Sequence, residues 1–426
     1  MQFLDKIKEI IKELGWLHAS GVSMVIAGIT IPLSVPFPDR LKGYWAIALL
    51  PYAFVAIGIV LIIVGRIRDG RRKRDSLNVI AWEGIGDQDI TQGFEQRHRK
   101  LQVNCLEYVR GVDKVSHLRL EERPFDILIL DNEFIDNVDG AKLVEMNSQR
   151  FGHDLCQRIE AAGRSLPPGL QGQTKGLAIP IRCGLNAVLL NEVEAKRILR
   201  RSDLNLDSYN FLRPRNLKMY PTEPKIAIWN WYLPSLCIFL LAEGASPRSL
   251  FTQRYKKIRS IVDQLLDGRN IDRFLLYNDP RRLTEAMEGG KVWAVPAGGG
   301  WFLPLGLSRS HWKVVVPRKS HALLWMECAS VLADADKEKA TMYIEYLLEE
   351  ETQLKICRRD SYRACPVRGD LLSKLPPDMI EASDKDRIFE DNLGRRENVI
   401  FRKLPGHPME WEMAWSVLEK GAAYGG

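Results

Sequence analysis

Two long uncharged runs open the chain. Leu14 to Pro38 and Gly43 to Gly65 contain no Asp, Glu, Lys or Arg, and only residues 39–42 separate them. A helix rises 1.5 Å per residue, so each run is long enough to cross a hydrocarbon core of about 30 Å. The pattern therefore predicts a transmembrane helical hairpin over residues 16–66.

Charged segments on both sides of this hairpin predict its orientation. Residues 1–15 have one apolar helical face, which is typical of a segment that lies in the membrane interface. A basic linker over residues 67–76 follows the second run. The membrane-proximal basic residues in and next to this linker are Arg66, Arg68, Arg71, Arg72, Lys73 and Arg74. By the positive-inside rule both flanks belong in the cytoplasm, where this cluster also contacts anionic lipid. We therefore expect a two-span membrane protein with a cytoplasmic domain; if only the second run crosses, the domain lies opposite the amino terminus.

Beyond the hairpin, strand and helix patterns alternate. Leu77–Trp82 and Leu101–Tyr108 have strand character, Asp89–His98 has one apolar helical face, and Phe125–Leu130 is a continuous apolar run. Such a run is typical of a strand buried in a parallel sheet, and the alternation predicts an open α/β sheet. Ligands bind at the carboxyl ends of the strands in these sheets. That rule selects the residues at the strand ends, namely Trp82, Glu83, Asp131, Asn132 and Glu133.

A third apolar stretch, Ile226–Ala242, contains Asn230 and Pro234. Because it follows a strand-like segment and is interrupted by these residues, it predicts a buried strand, turn and helix better than a third membrane span.

The charge, the cysteines and the missing catalytic motifs limit the classes of partner that we expect for this chain. The net charge is +7, and six basic residues lie beside the second apolar run. The charge therefore predicts contact with the lipid bilayer, and we expect no nucleic-acid partner. The seven cysteines include no C-x-x-C pair, which favours a reducing compartment and no metal site. No phosphate loop, G-x-S-x-G or H-E-x-x-H motif is present, so we expect neither an enzyme nor a cofactor.

Several segments in order resemble the bacterial extracellular solute-binding proteins of the spermidine/putrescine-binding type. They are Ala81–Gly84, Phe125–Ile129, Gly176–Asn191, Met287–Val292 and Leu324–Glu327. The resemblance extends over nearly all of the chain from residue 77 to residue 421. It implies an α/β protein with a two-lobe periplasmic-binding-protein-like fold (type II), here preceded by two transmembrane helices.

The same resemblance implies domain boundaries and a ligand cleft between the lobes. Lobe 1 is expected at residues 77–178 and 297–345, and lobe 2 at residues 179–296 and 346–426, ending in a C-terminal helix. The expected ligand-binding residues are Trp82, Glu83, Asp131, Glu133, Arg182, Asn230, Trp231, Tyr232, Gly299, Trp301, Trp325, Glu327 and Tyr362.

The chemistry of this set leaves the ligand open. Carboxylates and aromatic faces suit a polyamine. However, the chain has Trp229–Tyr232 where the family has an acidic pair, and Arg182 introduces a cation. Arginine binds carboxylates and phosphates through two hydrogen bonds. A polyamine-like, a zwitterionic and a small anionic ligand all fit. Gly299 belongs to a glycine run that either forms a hinge or binds an anion.

The resulting interpretation is a membrane-anchored solute-binding protein that closes two lobes on a small molecule. Facing outward, it delivers solute to the permease of an ABC transporter, as the resemblance implies. Facing the cytoplasm, it acts as a sensor that signals through the hairpin, and the charge pattern favours this orientation. A third hypothesis is a module without a ligand that binds another protein or a second copy of itself.

Overall fold

The structure is a computed structural model of the 426-residue chain. It describes residues 76–82, 84–108, 125–135, 138, 143–146, 177–201, 206–300, 311–317, 319–358, 364–375 and 399–425. The predicted interfacial segment, hairpin and basic linker, including Arg66 to Arg74, lie outside these ranges, as do Glu83, Trp301 and Tyr362. Within the described ranges, no helix is both apolar enough and long enough to span a bilayer.

Contacts divide the chain into two compact units. One comprises Met1–Ser76 with Lys100–Gln102, and the other comprises Leu77–Arg99 with Val103–Gly426. The site described below and, apart from Ser76 of the first strand and Gln102 of the second, the strands of the two sheets belong to the second unit.

The strands of the described residues form two sheets. In chain order they are β1 (Ser76–Trp82), β2 (Gln102–Tyr108), β3 (Ile127–Asp131), β4 (Ile179–Asn186), β5 (Val188–Asn191), β6 (Lys225–Trp229), β7 (Phe274–Tyr277), β8 (Val292–Pro296), β9 (Trp312–Val315), β10 (Ala322–Val331), β11 (Cys365–Pro366) and β12 (Val399–Phe401). The first sheet has the order β11-β4-β10-β3-β1-β2, with β12 paired to β10, and the second has the order β7-β6-β8-β5-β9. Both sheets mix parallel and antiparallel pairs, such as β1 with β3 and β10 with β4.

Helices connect and cover these strands. They are α1 (Gln88–Arg97), α2 (Asn132–Ile135), α3 (Glu192–Arg201), α4 (Pro214–Leu217), α5 (Tyr232–Ala242), α6 (Tyr255–Leu265), α7 (Pro280–Glu288), α8 (Lys337–Leu347), α9 (Glu350–Cys357) and α10 (Pro408–Gly421). Short 3₁₀ turns occur at Tyr209–Leu212, Leu250–Thr252, Ile271–Arg273 and Gly369–Lys374.

Local sequence patterns predict most of these elements. The expected strand at Leu77–Trp82, the helix at Asp89–His98 and the strand at Leu101–Tyr108 correspond to β1, α1 and β2. The apolar run beginning at Phe125 contains β3, which pairs in parallel with β1 as predicted. The stretch Ile226–Ala242 is also confirmed as a buried strand, turn and helix, because it forms most of β6 and all of α5.

Each sheet has its own aromatic packing. Beside the first sheet, Phe94 of α1 meets Tyr343 of α8 edge to face, with ring centroids 5.0 Å apart. The hydroxyl of Tyr346 donates to the carbonyl oxygen of Ile90 at 2.9 Å, which joins α8 to α1. In the second core, Trp293 of β8 meets Tyr220 edge to face at 5.4 Å. All eleven side chains of α5 are buried in that region, which explains why its sequence is apolar on every side.

One nearly continuous extended segment connects the two sheets. β4 belongs to the first sheet and β5 to the second, and only Ala187 separates them. The backbone N–H of Ala187 donates to the carbonyl oxygen of Gly298 at 2.9 Å, and Asn186 Nδ2 donates to that of Ala297 at 3.0 Å. The segment Gly176–Asn191, part of the family resemblance, therefore contains the strands β4 and β5 that cross from one sheet to the other. Leu323, near the start of β10, also packs into the core of the second sheet.

The strands that follow β8 can be compared with the expected lobe boundaries by the sheet to which each belongs. β9 lies in the second sheet, whereas β10, β11 and β12 lie in the first, and α10 packs into the core of the second sheet. The chain therefore returns to the first sheet at β10, contributes β11 and β12 to it, and reaches the second core again with α10. The boundaries at residues 297 and 346 stay predictions.

Gly184 of β4 allows a close approach by the Trp325 ring. Trp325 is its cross-strand partner on β10, and a Cβ atom at residue 184 would lie 2.5 Å from the indole Cζ2 atom. Both flanking strands are buried, so the ring has little room to move. A side chain at this position must therefore shift the indole or the strands.

We expect Gly184→Ala to lower the free energy of unfolding by about 1–3 kcal/mol, because it overpacks a buried contact. The matched control is Gly268→Ala, since a Cβ atom at residue 268 meets no atom within 4 Å. Urea denaturation of the full chain in detergent measures both variants. Equal stability of the two variants would contradict the close packing of Trp325 on Gly184.

Candidate functional site

The carboxyl ends of two strands converge on the middle of β10. β12 runs parallel to β10 and pairs with Ala322–Leu324, whereas β3 runs antiparallel and pairs with Glu327–Val331. β4 pairs along the opposite edge of β10. β3 and β12 therefore lie end to end along one edge, with their carboxyl ends facing each other. Such a meeting of strand ends is where open α/β sheets place ligands.

Asn132 fills the gap between these two strands. Its Oδ1 accepts from the backbone N–H of Met326 at 3.0 Å, and its Nδ2 donates to the carbonyl oxygen of Arg402 at 2.7 Å. The N–H of Arg402 in turn donates to the carbonyl oxygen of Leu324 at 2.9 Å. The buried amide of Asn132 thus forms hydrogen bonds with backbone groups that would be unpaired where the strand pairing is interrupted.

Three charged side chains lie in a row across the first sheet. Glu327 of β10 pairs in register with Asp131 of β3 on one side and with Arg182 of β4 on the other. Side chains directly opposite each other on adjacent strands share a face, so the three form one group. All three are fully buried, and Arg182 Nε donates to Glu327 Oε2 at 2.6 Å. An irregularity in the β4–β10 pairing between Glu327 and Cys328 lies at this position.

Arg402 is bound on several sides by groups from different elements. Its Nη2 donates to Asp131 Oδ2, its Nε forms an ion pair with Glu133 Oε1 at 2.5 Å, and its Nη1 donates to Asn186 Oδ1 at 3.0 Å. The guanidinium carbon lies 4.4 Å from the ring centroid of Trp231, in a cation–π contact. The side chain is only 1% exposed.

Aromatic rings border this charged group. Trp82 is at the end of β1 in the first sheet, and Trp231 lies between β6 and α5 beside the second sheet. The centroids of their rings are 5.9 Å apart. The two rings are tilted by 45°. Trp82 is mostly buried, whereas Trp231 is half-buried. Side chains associated with both sheets therefore meet at the same polar cluster.

Burial sets the protonation of the carboxyl groups. It raises the pKa of Glu133 to about 8, although Arg402 opposes this shift and Asp131 adds to it. Burial also raises the pKa of Glu327 to about 7, against the effect of Arg182. The pKa of Asp131 is raised by burial too, but Arg402, Arg182 and a hydrogen bond from Trp82 oppose the shift. Three acids and two arginines thus approach a neutral cluster near pH 7 through protonation of a glutamate.

The structure brings together most of the predicted site residues that it describes. The group contains Trp82, Asp131, Glu133, Arg182, Trp231 and Glu327, and Trp325 lies two residues before Glu327 on β10, against Gly184. Sequence reasoning missed Arg402 and Asn186, the residues that complete it. Arg402 follows a three-residue strand and is separated from Asp131 by 271 positions, so no local pattern marks it.

Two other predicted residues have different roles. The amide of Asn230 donates to Glu419 Oε1 at 2.8 Å and accepts from Trp415 Nε1 at 2.7 Å, so α10 occupies it. Tyr232 begins α5 and packs within the hydrophobic core of the second sheet. Both stay predictions as ligand-binding residues, and Trp231 is the residue of this turn whose ring contacts Arg402 of the charged cluster. Gly299 is buried after β8, and its role as part of a hinge or as an anion-binding group stays a prediction.

The thiols and metal ligands give less information. Six cysteines fall within the described residues, and none of these forms a disulfide. Cys183 and Cys365 are direct partners on β4 and β11, yet both are thiols. In the same part of the chain, no group of three or more His, Cys, Asp or Glu side chains is arranged to hold a metal ion.

Comparison with solved structures identifies the fold. The chain is similar to the spermidine/putrescine ABC transporter substrate-binding protein of Streptococcus pneumoniae (15% identity, 81% of this chain and 98% of that chain, TM-score 0.56). It is also similar to a putative spermidine/putrescine ABC transporter protein of Listeria monocytogenes (14%, 81% and 99%, 0.59). A third similar structure is a binding protein of A. tumefaciens in complex with agropinic acid (14%, 81% and 96%, 0.50).

No protein-family model matches the chain, and no curated protein matches it significantly. The structural similarity nevertheless covers four-fifths of the chain and almost the whole of each similar structure. The described part of the chain therefore has the two-lobe α/β fold of the periplasmic-binding-protein type, as the sequence predicts.

The raised pKa of Glu133 predicts a pH dependence of stability. Between the ordinary glutamate value of about 4.5 and about 8, the folded protein holds a proton on Glu133 that the unfolded chain releases. This contribution is complete below about pH 4.5 and is lost as the pH rises through 8. We expect Glu133→Gln to lessen the fall in unfolding free energy between pH 5 and pH 8.5, by at most about 1.4 kcal/mol per pH unit.

Denaturant unfolding of wild type, Glu133→Gln and the exposed-site control Glu338→Gln at both pH values tests this prediction. Only the Glu133 variant should change the slope. Parallel pH profiles for all three proteins would show that Glu133 is ionised throughout the range.

Proposed function

We propose that the chain is a membrane-anchored solute-binding protein that closes its two lobes on a small molecule. The observation that carries the proposal is the contact between Trp82, at the end of β1 in the first sheet, and Trp231, in the turn that follows β6 of the second sheet. This contact lies beside the buried cluster where β3 and β12 converge. A ligand in this position contacts both lobes, so its binding favours the closed state through its differential affinity. The cluster contains no identified catalytic arrangement, and binding without chemistry is the simplest use of it.

The candidate ligands remain a polyamine-like, a zwitterionic or a small anionic molecule. The S. pneumoniae and L. monocytogenes proteins are described as spermidine/putrescine proteins, and the A. tumefaciens protein binds agropinic acid. A shared fold does not transfer a ligand, because specificity resides in the site residues. In this chain, Arg402 and Arg182 already contact the buried carboxylates.

The hairpin over residues 16–66 anchors the domain, and its orientation separates two uses. With the lobes outside, the protein delivers solute to a transporter permease. With the lobes in the cytoplasm, it is a sensor that signals through the hairpin. The basic cluster from Arg66 to Arg74 favours the second orientation, and so do six described cysteines without a disulfide.

We expect at least one of putrescine, spermidine and agropinic acid to raise the melting temperature of the full chain in detergent. A ligand that binds only the folded state stabilises it by about 2.7 kcal/mol at 100 times its Kd. Trp82→Leu should abolish this shift, because it removes one wall of the cleft. The control Trp411→Leu loses a buried tryptophan of the second core and should keep the shift. Equal loss in both variants would remove Trp82 from the site.

The orientation is tested by cysteine labelling. Lys42→Cys and Asp75→Cys are introduced one at a time into an otherwise cysteine-free chain, and intact cells are treated with a membrane-impermeant thiol reagent. We expect labelling at residue 42 and none at residue 75, because the basic cluster remains inside. Labelling at residue 75 would reverse the assignment and support solute delivery to a permease.

A further inference from the structure

The surroundings of Arg402 are those of a bound ligand rather than of a simple ion pair. The two carboxylates that contact it come from the end of β3 and from α2, the amide comes from the end of β4, and the ring comes from the turn before α5. Each of these four groups comes from a different element of the fold. Carboxylates at the edge and an indole over the face are the groups that recognise organic cations.

The cost of burying charge also argues against a role in stability alone. Removing ions from water costs several kcal/mol each, and well-packed apolar residues are often at least as stabilising as a buried ion pair. The second lobe is filled with such residues around Trp293 and Phe239. A cluster of five buried ionisable groups at the junction of the sheets therefore favours a binding role.

The strand that precedes Arg402 is short. β12 consists of three residues, Val399–Phe401, and among the described strands it pairs only with β10. Lys403, the next residue, is exposed. Arg402 thus follows directly after a strand that forms few backbone hydrogen bonds. Short elements of this kind belong to the less stable parts of a fold.

We propose that Asp131, Glu133, Asn186 and Trp231 form a binding site for a guanidinium or alkylammonium group, and that Arg402 occupies this site as a tethered ligand. The inference rests on the proposed solute-binding function and specifies the chemistry of one part of the cleft. The arginine holds together groups from both sheets without an added solute. A free cation binds there only when the Arg402 side chain leaves.

The test removes the tethered ligand and supplies it in solution. Methylguanidinium is the probe, because it matches the head of the arginine side chain, and urea is its planar, uncharged control. Binding to full-length wild type and Arg402→Ala in detergent is measured by calorimetry and by the melting temperature. We expect methylguanidinium to bind the variant at least about tenfold more tightly than wild type, a difference of about 1.4 kcal/mol, and urea to have no effect.

Matched variants check that the new site is specific. Arg368→Ala removes an arginine that forms a surface ion pair with Asp370, and it should not create binding. Arg402→Met removes the charge but fills the space, and it should bind methylguanidinium no better than wild type. In Arg402→Ala, the second substitution Trp231→Leu should weaken binding by removing the aromatic face.

Equal binding to wild type and Arg402→Ala, or none to either, would overturn the proposal. If Arg402→Ala is unfolded when isolated, its recovery on refolding with methylguanidinium but not with urea supports the same conclusion, and failure of both to restore it refutes the proposal. These outcomes are independent of the proposed function, which fails when none of the three solutes stabilises wild type. Spermidine binding that is equally tight in wild type and Arg402→Ala would support solute binding and refute occupation of the site by Arg402.

Discussion

The burial of five ionisable side chains constrains the rest of the structure. Asp131, Glu133, Glu327, Arg182 and Arg402 are all nearly inaccessible to water. Loss of one partner from such a group leaves an uncompensated buried charge, which costs roughly 3–5 kcal/mol. The pairing of β3, β4 and β12 with β10 must therefore keep the register that places acids opposite arginines. A slip of one residue would turn these side chains to the other face of the sheet.

This constraint extends from the first sheet to the second. Arg402 contacts Asn186, the last residue of β4, and the amide of Asn186 donates to the carbonyl oxygen of Ala297 beyond β8. Arg402 also contacts Trp231, which precedes the most deeply buried helix of the second lobe. The charged cluster thus satisfies polar groups at the point where the chain crosses between sheets. A change in protonation or occupancy there acts on both lobes.

Sequence patterns predicted the parts of the fold that depend on local order. β1 and α1 follow from the local pattern of their apolar residues, and the strand, turn and helix over Ile226–Ala242 follow from its interruption by Asn230 and Pro234. Asp131 follows from the rule that ligands bind at strand ends. Arg402 could not be predicted, because it approaches Asp131 only through the pairing of β12 with β10. Tyr232 was assigned to the cleft through the family resemblance, and in the structure it begins a helix that is apolar on all sides and packs in the core of the second sheet.

The occupied cation site also reconciles the fold with the ligand chemistry. Two of the similar proteins are described as spermidine/putrescine proteins, and this chain has acids and tryptophans that suit a cation. A tethered group nevertheless competes at an effective concentration that reaches the millimolar range for short flexible linkers. The apparent Kd of a free cation is its intrinsic Kd divided by the fraction of protein whose site is vacant. A monovalent amine therefore competes poorly with Arg402, whereas a ligand that also contacts the Trp82 side of the cleft gains the additional affinity needed to displace it.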